Sequence, residues 1–391
     1  MTPELSTVWD VVVVGAGPAG AAAARAAAAE GARVLLLDRA EPPRYKCCGG
    51  GLIGLSRRHV DIDLTSLERD AVRRMTFTME GRQRYTRRAV HGRAVFPLVM
   101  RADFDEALVA AACDAGATLL APAVVSGFEE ADDVVVVRLA GGREPLRARV
   151  VVGADGTGGR SGAFVGVDLE QVDVGLEGEF STPTTTADYW SGRALIDWGP
   201  VPGSYGWVFP KGSLLTVGVI GPREHGAQMR EYYRAFVHRL GLGDIDPETF
   251  SGHLTRVRRP GSPLRRGRVL VVGDAAGLLE PWTREGISFA LRSGRLAGRA
   301  AALAAAEAQP SAQGAALASY AEAVERELTP EMDAGRIFLR AFTRNRQVFH
   351  GFLAVVPGGW QLFTRIVAGE TTLSRQLAKR PIRLTLRFLT R

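Results

Sequence analysis

The stretch VVVVGAGPAGAAAARAAAAEGARVLLLDR, Val11 to Arg39, decides the fold. Val11 to Val14 and Val34 to Leu37 are short continuous apolar runs, the pattern of strands buried on both faces. Between them Gly15, Gly17 and Gly20 spell G-x-G-x-x-G, and the alanines that follow predict a helix up to Gly31. The first two glycines permit a tight turn and let bare backbone approach a pyrophosphate, while Gly20 lets the helix pack close on the strand. The helix N-terminus offers oriented N–H groups and a partial positive charge to the phosphates. Asp38, eighteen positions after Gly20, stands where a carboxylate accepts hydrogen bonds from an adenosine ribose and repels a 2′-phosphate. The unit is expected to take the ribose of FAD or NAD, not of NADP. Gly49, Gly51 and Gly54 repeat the spacing, but no strand precedes them, so they predict a loop.

With 391 residues, 46% of them hydrophobic, the chain has length for two or three domains with ordinary cores. Cys47, Cys48 and Cys113 make neither a disulfide framework nor a four-cysteine cluster, which points to a cytoplasmic protein. Met1 to Asp10 has no basic residue of a secretory leader, and no run of about twenty uncharged apolar residues predicts a spanning helix. Arginine is spread along the whole chain, so the net charge of +7 is not expected to mark a nucleic-acid partner. Charge concentrates only at the C-terminus, where Arg375, Lys379, Arg383, Arg387 and Arg391 recur every four residues with no acid after Glu370. Leu377, Ile382, Leu384, Leu386, Phe388 and Leu389 lie among them, and Pro381 divides the segment into two short helices. Two readings stand: peripheral contact with the inner face of the cell membrane, or helices packed on their own protein with a solvated arginine face.

Met75 to Val90 reads as two strands joined at Glu80-Gly81, Phe104 to Ala115 as a helix, and Thr118 to Phe128 and Val134 to Leu139 as strands. Arg149 to Val152 is a buried strand ending in Gly153-Ala154-Asp155-Gly156. Residues 166–258 alternate and carry turn residues and aromatics, the pattern of a separate antiparallel sheet. Arg268 to Val272 then runs into Gly273-Asp274-Ala275-Ala276-Gly277 and a helix from Gly286 to Ala305. The expected fold is α/β: a discontinuous Rossmann-like domain over 8–74, 96–165 and 259–308, an inserted antiparallel β-sheet substrate domain from 75–95 and 166–258, and a C-terminal helical region over 309–391.

The Gly153–Gly156 turn resembles the Asp-Gly element of flavoprotein monooxygenases and their relatives. VLVVGDAAGLLEP, Val269 to Pro281, is similar to the element whose aspartate, here Asp274, holds the ribityl chain of FAD. With PRYKCCGGGL (43–52), RADFDEAL (101–108) and YGWVFPK (205–211), the chain resembles the geranylgeranyl reductase family of the p-hydroxybenzoate-hydroxylase-like FAD superfamily, over residues 8 to about 305. The resemblance implies non-covalent FAD held by Gly15, Gly17, Ala19, Gly20, Asp38, Arg39, Cys48, Gly49, Arg101, Val125, Asp155, Gly156, Asp274, Gly286 and Ile287. It implies reduction of carbon–carbon double bonds in an isoprenoid or prenyl lipid, with NADPH or a ferredoxin as reductant. Cys48 takes the place of the family's cysteine beside the isoalloxazine, and Cys47 stands where a proline is common.

Cys48, Tyr205 and Trp207 are the catalytic candidates, and Tyr205, Trp207, Phe209 and Trp282 the pocket candidates. Tyr205, Trp207 and Phe209 alternate along a strand and so share a face, either a flat wall for an apolar chain or the core side of the sheet. A thiol of pKa about 8.5 is a weak acid, and nearby Arg44 and Lys46 are expected either to favour its thiolate or to bind a diphosphate head group. Cys48 reads equally as a small residue in a tight loop, and His91 and Tyr205 are alternative proton donors. Trp282, Arg284 and Glu285 in PWTREGI depart from the family's glycine-rich turn, which leaves the substrate open. A flavin monooxygenase or halogenase, and an FAD electron carrier or lipid-binding protein, are the rival readings.

Overall fold

The computed structural model describes residues 8–390 apart from the side chains at 91 and 357, so the donor candidate His91 and the last tail cation, Arg391, lie outside the described residues. Strand Val8–Val14 lies between Val34–Leu37 and Leu146–Gly153, parallel to both; Val269–Val271 and Thr118–Leu120 extend the sheet on either side, also parallel. Val11, Val12, Val13, Leu35, Leu36, Val151 and Leu270 are fully buried, as expected for interior strands covered on both faces. The alanine-rich helices Pro18–Ala29 and Ile287–Ala306 pack on each other over this sheet. The stretch expected as one strand from Thr118 to Phe128 is broken. Thr118–Leu120 ends the parallel sheet, and Val125–Ala131 pairs antiparallel with Val134–Leu139. Pro122 between them has no N–H to donate to a ladder.

A second sheet runs Thr249–Arg258, Leu169–Ser181, Leu214–Pro222, Tyr205–Lys211, Arg193–Trp198, Arg74–Met79, Arg82–Arg88 in spatial order. It is antiparallel except that Arg193–Trp198 lies parallel to Arg74–Met79, which corrects the expectation of a wholly antiparallel sheet. The hairpin Arg74–Arg88 comes from far earlier in the chain, and only a tight turn between neighbours forces them antiparallel. Helix Gly226–Arg239 covers one face of this sheet, packing Met229, Tyr232 and Phe236 on Val208, Val217 and Val219. The opposite face carries Trp207 and Phe209.

Beyond residue 309 the chain is helical, and Pro310, Pro330 and Pro381 stand in first turns, where a missing N–H is harmless. Phe338, Phe342 and Phe349 of these helices pack on Trp282. Among the described residues no helix is long and apolar enough to cross a membrane.

Candidate functional site

Three turns meet at adjacent C-terminal ends of the parallel strands, the place where α/β sheets bind dinucleotides. Gly15 has φ +102°, and a Cβ there would run into the Ala154 carbonyl, so the glycine turn lies directly against Gly153–Gly156. Val272 N–H in turn donates to the Gly153 carbonyl at 3.0 Å, joining the third turn. Gly17 and Ala19 open helix Pro18–Ala29, and Gly20 packs against the Gly15 carbonyl. The buried Asp38 carboxylate ends its strand, accepting the Ala16 N–H at 2.7 Å and the Ala40 N–H at 3.0 Å. Arg39 is exposed beside it, and Val125 stands two residues after Ala123, whose N–H donates to the Asp38 carbonyl. This bare-backbone cradle with an acid at its rim fits FAD.

Asp155 turns inward. Its carboxylate accepts the Arg160 and Ser161 N–H groups and the Ser161 hydroxyl, so its side chain shapes the turn while Gly156, at φ +71°, presents backbone. Asp274 lies in the third turn, with Gly286 and Ile287 beginning helix Ile287–Ala306 beside it.

The Cys48-Gly49 segment lies flat on the aromatic strand. A Cβ on Gly49 would sit 2.9 Å from the Phe209 ring and 3.1 Å from Trp207 Nε1. Opposite Trp207 stands Gly218, and opposite Gly218 stands Glu177, so all three share one row and one face. A Cβ on Gly218 would enter the indole, so that glycine is the slot across which Trp207 lies. The buried Glu177 accepts the Cys48 N–H at 2.8 Å and the Tyr45 hydroxyl at 3.3 Å. Its second oxygen and the Trp207 indole N–H are both buried without a partner among the described residues. Burial pushes the Glu177 carboxyl above the usual carboxylate range, although Lys211 opposes the shift.

Around this wall the fold gathers charge. Arg101 is buried, grips Asp105 through two 2.9 Å bonds and reaches the Cys48 thiol. Arg44 bridges Asp105 at 3.2 Å and Asp38 at 3.1 Å, tying the cysteine loop to the adenosine end. Lys46 Nζ lies 2.7 Å from His253 Nε2, which is 3.7 Å from Asp274. Burial lowers the Lys46 pKa. Burial raises that of Asp274, but the His253 hydrogen bond and the charges of Lys46 and Arg101 outweigh it and hold the carboxyl low. Burial, with Glu177 next to it, pushes the Cys47 thiol up, which leaves Cys47 protonated.

Glu177, Glu179, whose carboxylate lies 3.8 Å from Lys211 Nζ, His253 and Asp105 were not among the sequence candidates. Asp173, Glu177 and Glu179 carried a signal, since odd positions of Leu169–Ser181 share one face; a lone histidine carried none.

The candidates from 280 to 287 divide. The Tyr205 hydroxyl donates to the Thr283 carbonyl at 2.5 Å, pinning this loop to the aromatic strand, and burial raises the Tyr205 pKa. Arg284, at φ +58°, is buried, ion-paired to Asp173 at 3.2 Å and 5.6 Å from the Tyr205 ring centre. Trp282 stacks on Phe338 and so meets the C-terminal helices.

An FAD binding domain family model matches residues 8–328. Digeranylgeranylglycerophospholipid reductase of Methanosarcina mazei is 30% identical over 311 residues, 74% of each chain. A geranylgeranyl bacteriochlorophyll reductase-like protein of Thermoplasma acidophilum superposes with TM-score 0.73 at 21% identity, covering 98% of this chain and 99% of its own. A flavin-dependent brominase superposes with TM-score 0.71 at 16% identity over 98% and 99%. At these identities the two solved structures share the fold.

Proposed function

The chain belongs to the geranylgeranyl reductase family of FAD-dependent oxidoreductases, and from that membership we propose that it saturates carbon–carbon double bonds of an isoprenoid chain or prenyl lipid. The observation that carries this reading is the Cys48-Gly49 segment pressed onto the Trp207–Phe209 wall, which brings the cysteine loop against an apolar aromatic surface. FAD, when bound and already reduced by the external donor, would supply a hydride equivalent for one carbon of the double bond. An isolated alkene has no carbonyl to polarise, so the protein contributes position, dryness and a proton. Trp207 and Phe209 hold the alkene flat and exclude water. Cys48 Sγ, beside the Arg101 guanidinium, gives the proton to the second carbon, and Glu177 fixes the Cys48 backbone. Electrons come from NADPH or a ferredoxin. The tail after Glu370 sits at the inner face of the cell membrane, with the rest of the chain in the cytoplasm.

The test is anaerobic incubation of the reduced flavoprotein with a prenyl lipid. The product should gain about two mass units per bond reduced. Turnover that needs oxygen would identify a monooxygenase or halogenase, and a reduced flavin with bound but unaltered lipid would identify a carrier.

A further inference from the structure

Helices Thr329–Arg344 and Arg380–Leu389 enclose an open groove of about 500 Å³. Arg340 and Arg344 stand four residues apart on one wall, Arg383 and Arg387 four apart on the other, and Ile337 and Leu377 form part of its lining. Residues at i and i+4 share a helix face, so each pair points into the same space. All four arginines are exposed, and among the described residues none lies within 4.0 Å of a carboxylate; Arg344 donates to the Thr390 carbonyl. Neighbouring arginines do find acids, Arg336 of helix Thr329–Arg344 with Glu170 and Asp333, and Arg346 of the next helix with Glu80. Four guanidiniums that line one groove with no carboxylate partner among the described residues suit a phosphate ester, whose oxygens accept paired N–H bonds.

What stands beside the groove selects the source of that phosphate. Leu384 and Phe388 each follow a groove arginine by one residue and are 52% and 77% exposed. The Leu389 carbonyl accepts a 2.6 Å bond from Asn345 at the start of helix Arg346–Val355, where Val348, Phe352 and Val355 form a second exposed apolar stripe at i, i+4 and i+7. A soluble anion has no use for exposed leucine and phenylalanine; an anionic bilayer surface takes both features together. We propose that the Arg340, Arg344, Arg383 and Arg387 groove seats one phospholipid headgroup phosphate and so fixes the C-terminal helices on an anionic membrane. This deepens the membrane contact proposed above and is independent of which double bond is reduced.

The experiment measures partition of the full-length FAD-loaded protein onto phosphatidylcholine vesicles and onto equal mixtures of phosphatidylcholine and phosphatidylglycerol. Binding should be confined to the mixed vesicles. Arg383→Gln with Arg387→Gln should lower the partition coefficient at least a hundredfold, from the loss of charge-assisted bonds. Arg375→Gln with Lys379→Gln removes the same charge outside the groove and should lower it about thirtyfold or less, the effect of two charges near a surface. Equal losses in the two pairs would reduce the groove to diffuse attraction and overturn the site. Leu384→Ser with Phe388→Ser should weaken binding to mixed vesicles; no effect there, with inorganic phosphate protecting the wild-type protein against heat, would assign the groove to a free anion instead. Retained flavin and an unchanged melting temperature show that each variant is folded. Prenyl turnover with a short soluble substrate reports separately on the reductase reading.

Discussion

Gly49→Ala places one methyl group against the wall on which the proposed chemistry depends. The added Cβ would be 2.9 Å from Cδ2 and Cε2 of Phe209 and 3.1 Å from Trp207 Nε1. Comfortable carbon contacts are about 3.5–4.0 Å, so the loop or the ring must yield by roughly 0.6 Å or more. Phe209 packs edge-on against Phe96, with ring centres 5.7 Å apart, and Trp207 lies in the Gly218 slot, so the rings are held and the loop is the part expected to move. Overpacking of this kind costs about 1–3 kcal/mol. If the displaced loop must be pushed back for each turnover, the rate falls by roughly 5- to 150-fold. The glycine turn and Asp38 are untouched, so most of the FAD affinity should be kept, while the flavin end, to which Gly49 is expected to contribute, shifts its spectrum. The assay is single-turnover oxidation of the reduced flavin by a prenyl substrate, with the flavin spectrum as the structural readout. Phe209→Leu removes the ring edge that the methyl meets, so the double variant should recover much of the loss, with a coupling of about 0.5–3 kcal/mol. Wild-type turnover and an unshifted spectrum in Gly49→Ala, or losses that simply add in the double variant, would refute the contact between loop and wall as the basis of the chemistry.

Asp38→Ala should weaken FAD binding by about 1.5–3 kcal/mol, roughly 10- to 150-fold, measured by flavin fluorescence titration; unchanged affinity would remove Asp38 from the ribose site. Cys48→Ser should keep FAD and slow turnover, whereas Cys113→Ser, remote on helix Arg101–Asp114, should not; equal rates in both would make Cys48 a loop residue. Burial raises the Glu285 pKa from 4.5 to about 7 against the Ser288 and Ser56 hydrogen bonds. The folded state therefore binds the proton more tightly, so stability is complete below about pH 4.5 and is lost as pH rises through 7. The loss is on the order of 3 kcal/mol, from 1.36 kcal/mol per pKa unit. Glu285→Gln should flatten the fall in melting temperature between pH 5 and 8, and an identical profile in variant and wild type would show that Glu285 titrates normally.

The nucleotide-binding half was legible in the chain because its information is local. Val11 to Asp38 carries strand, turn, helix, strand and acid in consecutive residues, and the turns after Gly153 and Gly273 announce themselves through short glycine-aspartate runs. Alternation likewise put Tyr205, Trp207 and Phe209 on one face, since a strand has a period of two whatever surrounds it. What occupies that face was decided elsewhere. The cysteine loop reaches Phe209 across some 160 positions of sequence, Glu177 meets Trp207 only through the pairing of three strands, and His253 reaches Lys46 from the sheet's far edge. Asp155 shows the same limit in reverse, since its motif was plain while the direction of its carboxylate depended on Ser161. In the tail, periodicity located the cations, but a groove needs two helices, and Arg340 and Arg344 join Arg383 and Arg387 only when the chain folds back. Sequence spacing specifies what lies along one element; the partners across a sheet or between helices are set by packing of residues distant in the chain, which no local period records.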